Sequence, residues 1–522
     1  MKSSQLVSQG SIDRMLIASE QAWKRKNLQE SIQILERANR LAPANVTVLL
    51  RLGRYHGLNH DYAPAEACFE RAVRVSQKKT ETLARAGDYC RDFRNLELAA
   101  RYFRLASEAR DVSPEILVQQ AEFYERVRRT GDAYALVDRA LGLNAACGPA
   151  LLARARLDRL SNRLEPAEKA ARSLLNKPDP GAQPSPERDT RIRGWYELGA
   201  ILDRQKRFDE AMAAWVQAKS MQRLHAGLQI HELSVIRDRL KQLRESISAE
   251  TLQRWFEFGP QLEPVLRLAL LGGHPRSGTT LLEQVLDSHP DIVSAEETEI
   301  FHDDAYFPLI RGLPEDTAML KVLEGAQTET LRQSREAYFK AMELSLDKPI
   351  GGRLLIDKNP SYTFLVAAMA RIFPEIKFLV ALRDPRDVVL SCFMQPFVPL
   401  GNTTSSFLSL EGAVNEYAAL MDMWRTLKPM LKNPCLEVRY EDMVEDLESV
   451  ARRTLDFLGV PWDAKVLRFD EHARQKTVRS PTYADVTKPV FKTAVGRWRS
   501  YQKYLEPHLG KLEPFVKAFG YG

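Results

Sequence analysis

Residues 266–290 read LRLALLGGHPRSGTTLLEQVLDSHP, from Leu266 to Pro290. The run Leu266–Leu271 is short, apolar and followed by two glycines, the pattern of a buried strand, although periodicity alone leaves a buried helix open. Gly272 and Gly273 allow a tight backbone path, Pro275 stiffens it, and apolar residues resume at helical spacing from Thr280 to Leu286. Strand, glycine loop and helix together aim free backbone N–H groups and a helix N-terminus at an anion. Gly273-x-x-x-x-Gly278-Thr279-Thr280 has the outline of a phosphate-binding loop. Thr279, however, stands where such a loop carries the lysine that reaches the β- and γ-phosphates of a triphosphate. The strong cation of the loop is Arg276, whose planar fork suits a bidentate oxyanion. A phosphate-like anion other than a triphosphate is the expected ligand. The plain alternative, a glycine turn with an incidental arginine, leaves the coincidence of these elements unexplained.

The chain has 522 residues, enough for two or more domains. With 44% hydrophobic and 28% charged residues it has the composition of an ordinary soluble protein. The net charge of +6 is a mild excess that suits small anionic ligands and does not announce nucleic acid. Cys68, Cys90, Cys147, Cys392 and Cys435 are odd in number and scattered, without the close pairs of a zinc site. They read as buried thiols in a reducing compartment, and no metal site is expected. The opening MKSSQLVSQGS has no apolar core of signal-peptide length, and no run approaches the ~18 apolar residues of a transmembrane segment. A cytoplasmic protein is the expectation.

Ser31, Ala65, Ala99, Ala133 and Ala167 stand 34 residues apart, and the same register aligns Leu35, Phe69, Phe103, Val137 and Ala171, then Ala38, Ala72, Ala106, Ala140 and Leu174. A small, large, small triplet at i, i+4, i+7 is one helix face, its small residues admitting a neighbouring helix. A sixth triplet, Ala211, Trp215 and Ala218, follows 44 residues after the fifth; the surplus is the proline-rich loop Lys177–Asp189. The period and pattern resemble the tetratricopeptide repeat, and Leu52-Gly53 and Leu198-Gly199 match the pair in that family's first helix. The resemblance implies an all-α superhelix over 1–225 with a protein or peptide partner on its concave face. Residues 226–262 read as a helical linker, and 263–522 as a second domain.

In that domain further apolar runs, Arg353–Ile356, Phe378–Leu382 and Leu436–Val438, alternate with helical patterns at Tyr362–Phe373, Val388–Phe393 and Ala413–Leu431. Such alternation predicts an α/β fold, a P-loop-like parallel sheet covered on both faces, with ligands at the carboxyl ends of its strands. Polar clusters follow two of these runs: Asp357-Lys358-Asn359-Pro360, and Arg383-Asp384-Pro385-Arg386-Asp387 with Ser391 two helical turns on. Arg383 and Ser391 are placed to converge on a second anion, unless Arg383 is simply paired with Asp384 or Asp387. Two anion cradles call for a ligand with phosphate-like groups at two separated points.

HPRSGTT resembles the 5′-phosphosulfate loop of sulfotransferases, and LRDPRDVVLS their 3′-phosphate motif. The resemblance covers about Leu266 to Arg499 and is greatest to the tyrosylprotein sulfotransferases and to bacterial sulfotransferases fused to tetratricopeptide repeats. It implies the sulfotransferase fold and 3′-phosphoadenosine 5′-phosphosulfate (PAPS) as co-substrate. Pro275, Arg276, Ser277, Gly278, Thr279, Thr280, Arg383, Ser391 and Tyr440 would then contact the nucleotide, with Ser480 and Lys488, from RSPTYADVTKPV, closing over it. It further implies Glu297, second of a glutamate pair, as catalytic base, with Arg276 and Lys358 beside the transferred group. Gln395 departs from the family, whose peptide-sulfating members carry an arginine there, so a 3′-phosphate contact is either missing or supplied by Arg386. The implied reaction is PAPS-dependent transfer of a sulfuryl group to an acceptor hydroxyl without a metal. A protein or peptide tyrosine is one acceptor class, and a saccharide, lipid or small metabolite the alternative. Two other readings stay open: a P-loop kinase with Asp357 holding its metal, which Thr279 opposes, and a repeat scaffold whose second domain binds nucleotide without catalysis.

Overall fold

All fifteen residues of the 34-residue register, and the sixth triplet Ala211, Trp215 and Ala218, are buried in the computed structural model, which describes residues 2–24, 27–178, 180–314, 316–346, 349–397, 401–475 and 494–522. Contacts divide the chain into two compact units, residues 1–205 and 206–522. The first is all helical among the described residues: antiparallel pairs such as Val46–Leu58 with Tyr62–Val75 and Lys79–Asp92 with Leu96–Ser107 follow one another from Lys2 to Leu175, with a last helix over Pro186–Arg204. The small residues of the register let helices approach. A Cβ on Gly53 would lie 2.6 Å from the Phe69 ring, and one on Gly87 3.0 Å from Phe103. In these two pairs the large residue of the second helix thus seats against a glycine of the first.

The turns inside the pairs obey the same period. His60, Arg94, Arg128 and Asn162, each 34 residues on, have φ of 64°, 63°, 64° and 58°. In each case the next residue's N–H donates to the carbonyl five positions back, Asp61 to His56 (2.9 Å), Asn95 to Cys90 (2.9 Å), Arg129 to Tyr124 (2.8 Å) and Arg163 to Asp158 (2.8 Å). This left-handed C-cap satisfies carbonyls that the helix end would otherwise leave unpaired. The residues that adopt it share nothing chemically, so the sequence register does not reveal it. The helix pairs thus repeat with the 34-residue period read from the sequence.

In the second unit, helices Phe208–Arg223, Gly227–Ser246 and Ala249–Phe258 precede a five-stranded sheet. Its strands are β1 (Leu268–Gly273), β2 (Ile292–Glu296), β3 (Leu354–Lys358), β4 (Lys377–Leu382) and β5 (Cys435–Arg439), all parallel, in the order β2-β3-β1-β4-β5. The apolar runs expected as strands all lie in it, shifted by a residue or two. β2 is an addition, because Ser294 and Glu296 break its apolar pattern. The helical pattern at Tyr362–Phe373 is divided between a 3-10 turn, Pro360–Leu365, and a helix, Val366–Ile372. The second unit is therefore the expected P-loop-like α/β sheet. Among the described residues no helix is long and apolar enough to cross a membrane. The five cysteines are free.

Candidate active site

The loop after β1 is held by close backbone approaches that admit only glycine. Gly273 has φ of 133°, and a Cβ there would sit 2.4 Å from the carbonyl oxygen of Ala381 on β4. The Thr363 hydroxyl fixes the same residue, accepting from its N–H (2.7 Å) and donating to its carbonyl (2.8 Å). Gly278, with φ of 91°, lies under the Tyr440 ring, which a Cβ would meet at 2.6 Å. Between them Pro275 accepts from His274 Nδ1 (2.8 Å). Burial pulls His274 down to about 4, so the imidazole is neutral. Ser277 is buried, and the helix Thr279–Asp287 begins at Thr279 and Thr280, turning its N-terminal amides toward the loop. Arg276 itself has φ of 74°, a conformation costly for a residue with a side chain and concentrated at functional sites.

β1 and β4 are neighbours, so the two arginine motifs adjoin at the ends of the two strands. Arg276 Nε donates to Ser391 Oγ at 3.1 Å, and Arg383 Nη1 to the Arg276 carbonyl at 3.2 Å. The Arg383 guanidinium lies over the Tyr440 ring, 5.0 Å from its centroid, and donates through Nη2 to Ala494 O. Its contact with Asp387 is long, 3.8 Å, and its buried Nε has no hydrogen-bond partner among the described residues. Asp384 is taken instead by Arg386, through Nε (2.9 Å) and Nη2 (2.7 Å), with Trp498 stacked on that guanidinium at 4.2 Å. Arg386 is thereby engaged. The backbone carbonyl of Gln395 accepts from Lys219 Nζ, 3.2 Å away.

The third element is a lysine among acids. Lys358, at the end of β3, is fully buried, with Nζ 2.7 Å from Glu297 Oε1, 3.4 Å from Glu283 Oε2 and 3.7 Å from Glu296 Oε1. Burial works against its charge, but the three carboxylates outweigh burial and hold Lys358 above its ordinary value. Glu297 sits at φ of 48° with its side chain 40% exposed, open to a substrate where Glu283 and Glu296 are not. Its N–H donates to the Lys358 carbonyl (2.7 Å), and the Thr298 carbonyl accepts from Asn359 Nδ2 (3.0 Å) and Tyr362 Oη (2.8 Å). The adjacent Asp357 alternates to the other side of β3, fully buried on Tyr338 Oη (2.9 Å). Burial pushes it up to about 7.

The fold thus gathers Pro275–Thr280, Arg383, Ser391 and Tyr440 around the β1 and β4 ends, and Lys358 with Glu297 beside them at the end of β3. Ser480 and Lys488 lie outside the described residues. Sequence reading missed Glu283. The helix that carries it is buried on every face, so no polar stripe marks the residue. It also missed Thr363, which acts on the loop from ninety residues away.

A parallel sheet of order β2-β3-β1-β4-β5 places the glycine loop and both arginine motifs at the carboxyl ends of its strands, where ligands of such sheets bind. Residues 269–464 match the model of the Sulfotransferase family. An uncharacterised protein of Aquifex aeolicus is 26% identical over 359 residues, 66% of this chain and 44% of that one. The protein-tyrosine sulfotransferase of Drosophila melanogaster is 30% identical over 243 residues, 44% of this chain and 46% of that one. The chain therefore spans less than half the length of these curated relatives. Among solved structures, the sulfotransferase domain of the Synechococcus PCC 7002 olefin synthase is similar at a TM-score of 0.34 and 22% identity, covering 46% of this chain and 89% of that one.

Proposed function

We propose that this chain is a PAPS-dependent sulfotransferase acting on an acceptor hydroxyl. The observation that carries the proposal is the Glu297–Lys358 pair at the end of β3, beside a loop whose cation is Arg276. The donor supplies the sulfuryl group and, as leaving group, its 5′-phosphate. The loop amides before Thr280 suit that phosphate, and the unpartnered Arg383 Nε suits an oxygen of the 3′-phosphate together with Ser391.

Glu297, the exposed carboxylate of the cluster, takes the acceptor's proton. The acceptor oxygen then bonds to sulfur as the bond between sulfur and the phosphate oxygen breaks, and the electron pair of that bond stays on the phosphate. Arg276, Lys358 and the loop amides stabilise this developing charge, as preorganised donors in a buried site do. Arg383, Ser391 and Tyr440 hold the nucleotide and so fix the line of attack. Similarity to a protein-tyrosine sulfotransferase favours tyrosine in a protein or peptide as acceptor, with the helical repeats recruiting it.

Glu297→Gln tests the assignment. It is expected to bind 3′-phosphoadenosine 5′-phosphate within about threefold of wild type while transfer of labelled sulfuryl groups to tyrosine peptides falls by 10²–10⁴-fold, the usual contribution of a general base. Retained transfer would remove Glu297 from the mechanism.

A further inference from the structure

Three carboxylates converge on Lys358, and the mechanism above uses only one of them. Glu297 is the nearest partner of Nζ at 2.7 Å, and receiving the acceptor's proton takes its negative charge away from the ammonium. What remains with Lys358 is then decisive. Glu296 Oε1, at 3.7 Å, ends β2. Glu283 Oε2 is nearer, at 3.4 Å, and its other oxygen accepts from Ser294 Oγ at 2.9 Å. Glu283 is fully buried on the helix that follows the phosphate loop, clamped between the middle of β2 and the end of β3. The remaining titratable neighbour is Asp357, next in β3 and directed to Tyr338; the facing part of β1, Leu268–Leu271, carries no charge.

We propose that Glu283 is a positioning residue for the transfer step: it holds the Lys358 ammonium in place and charged while Glu297 swings off to take the acceptor's proton. A buried ammonium whose exposed partner departs loses its proton unless a counter-charge stays behind. Glu283 is the nearer of the two buried carboxylates that stay, at 3.4 Å against 3.7 Å for Glu296, and the Ser294 hydroxyl keeps it from following Glu297. The roles of the two acids divide by exposure: the open one exchanges protons, the closed one does not. This inference rests on the sulfotransferase reading, because it gives Lys358 the task of meeting the donor's 5′-phosphate.

The test is calorimetric titration with 3′-phosphoadenosine 5′-phosphate at pH 7 and pH 9.5 in wild type, Glu283→Gln and Glu283→Asp. Wild-type affinity is expected to change less than about threefold between the two pH values. Glu283→Gln, which keeps an acceptor for Ser294, should match wild type within about threefold at pH 7 and bind at least tenfold more weakly at pH 9.5, because its Lys358 gives up its proton more readily. Glu283→Asp restores the charge and should keep the flat profile; it carries the comparison even if the glutamine variant is unstable. Equal weakening of Glu283→Gln at both pH values, or a pH-dependent loss in Glu283→Asp as large as that in Glu283→Gln, would overturn the proposal and leave Glu283 structural. Absence of nucleotide binding by the wild type would instead overturn the sulfotransferase reading, and the proposal with it.

Discussion

Replacing Lys358 by methionine removes the ammonium that Glu283, Glu296 and Glu297 share while keeping a side chain of similar length. Glu297 is exposed enough to turn to water, but Glu283 and Glu296 stay buried with their counter-charge gone. Breaking a buried ion pair by removing one partner costs about 3–5 kcal/mol, because the remaining charge is stranded. We expect a loss of that size in the second unit at pH 8, read by urea denaturation with tryptophan fluorescence. Five of the seven tryptophans, Trp215, Trp255, Trp424, Trp462 and Trp498, belong to that unit. Adding Glu283→Gln to Lys358→Met removes one stranded charge and should restore at least about 1 kcal/mol, a non-additivity expected only of groups in contact. The sign of the pH dependence follows from the direction of the lysine shift. Lys358 is held above its ordinary 10.5, so the stability it contributes is present below that value and lost as pH rises through the higher folded value. The gap between wild type and variant should therefore be level from about pH 7 to 10 and narrow only above about 10.5. A loss under about 1 kcal/mol at pH 8, or a double variant no more stable than the single one, would refute the idea that this lysine balances buried carboxylates.

Two further perturbations probe other parts of the fold. Burial lifts Asp357 to about 7 from an ordinary 3.8, so the unfolded chain ionises first and wild-type stability falls as pH rises between those values. Asp357→Asn escapes this loss, and its melting temperature relative to wild type should climb from pH 4 to pH 7, for a gain of roughly 3–4 kcal/mol, then level off; a difference independent of pH would contradict the assignment. Arg94 holds an exposed left-handed turn at φ of 63°. Arg94→Gly should stabilise the first unit by about 0.5–1 kcal/mol and Arg94→Val destabilise it, by far-ultraviolet circular dichroism melting, and the same sign for both would mean that the backbone there is unstrained.

The repeats were legible because a helix face fixed by packing repeats residue types at fixed spacing, and every column of the register is buried. Their turns were not, since the left-handed position is set by backbone geometry and filled by His60, Arg94, Arg128 and Asn162 alike. In the sheet, apolar β1, β3 and β4 were readable. β2 was hidden because its polar residues find partners far away in the chain: Ser294 on Glu283 and Asp287, and Glu296 on Lys358. Arg276, Arg383, Ser391, Lys358 and Glu297 stood out as candidate site residues in motifs, yet the hydrogen bond from Arg276 to Ser391 depends on β1 and β4 being neighbours, which local pattern does not specify. Glu283 carried no signal at all, being charged on a helix with no exposed face.

The central claim, a site for a nucleotide carrying 3′- and 5′-phosphates without a triphosphate lysine, is tested most directly by calorimetry. Wild type and Arg383→Ala are titrated with 3′-phosphoadenosine 5′-phosphate and, separately, with ATP and Mg²⁺. The account predicts binding of the first ligand in preference to the second, and at least tenfold weaker binding of it in Arg383→Ala, a loss of about 1.4 kcal/mol or more. Preference for ATP, binding of neither ligand by the wild type, or full affinity in Arg383→Ala would contradict it.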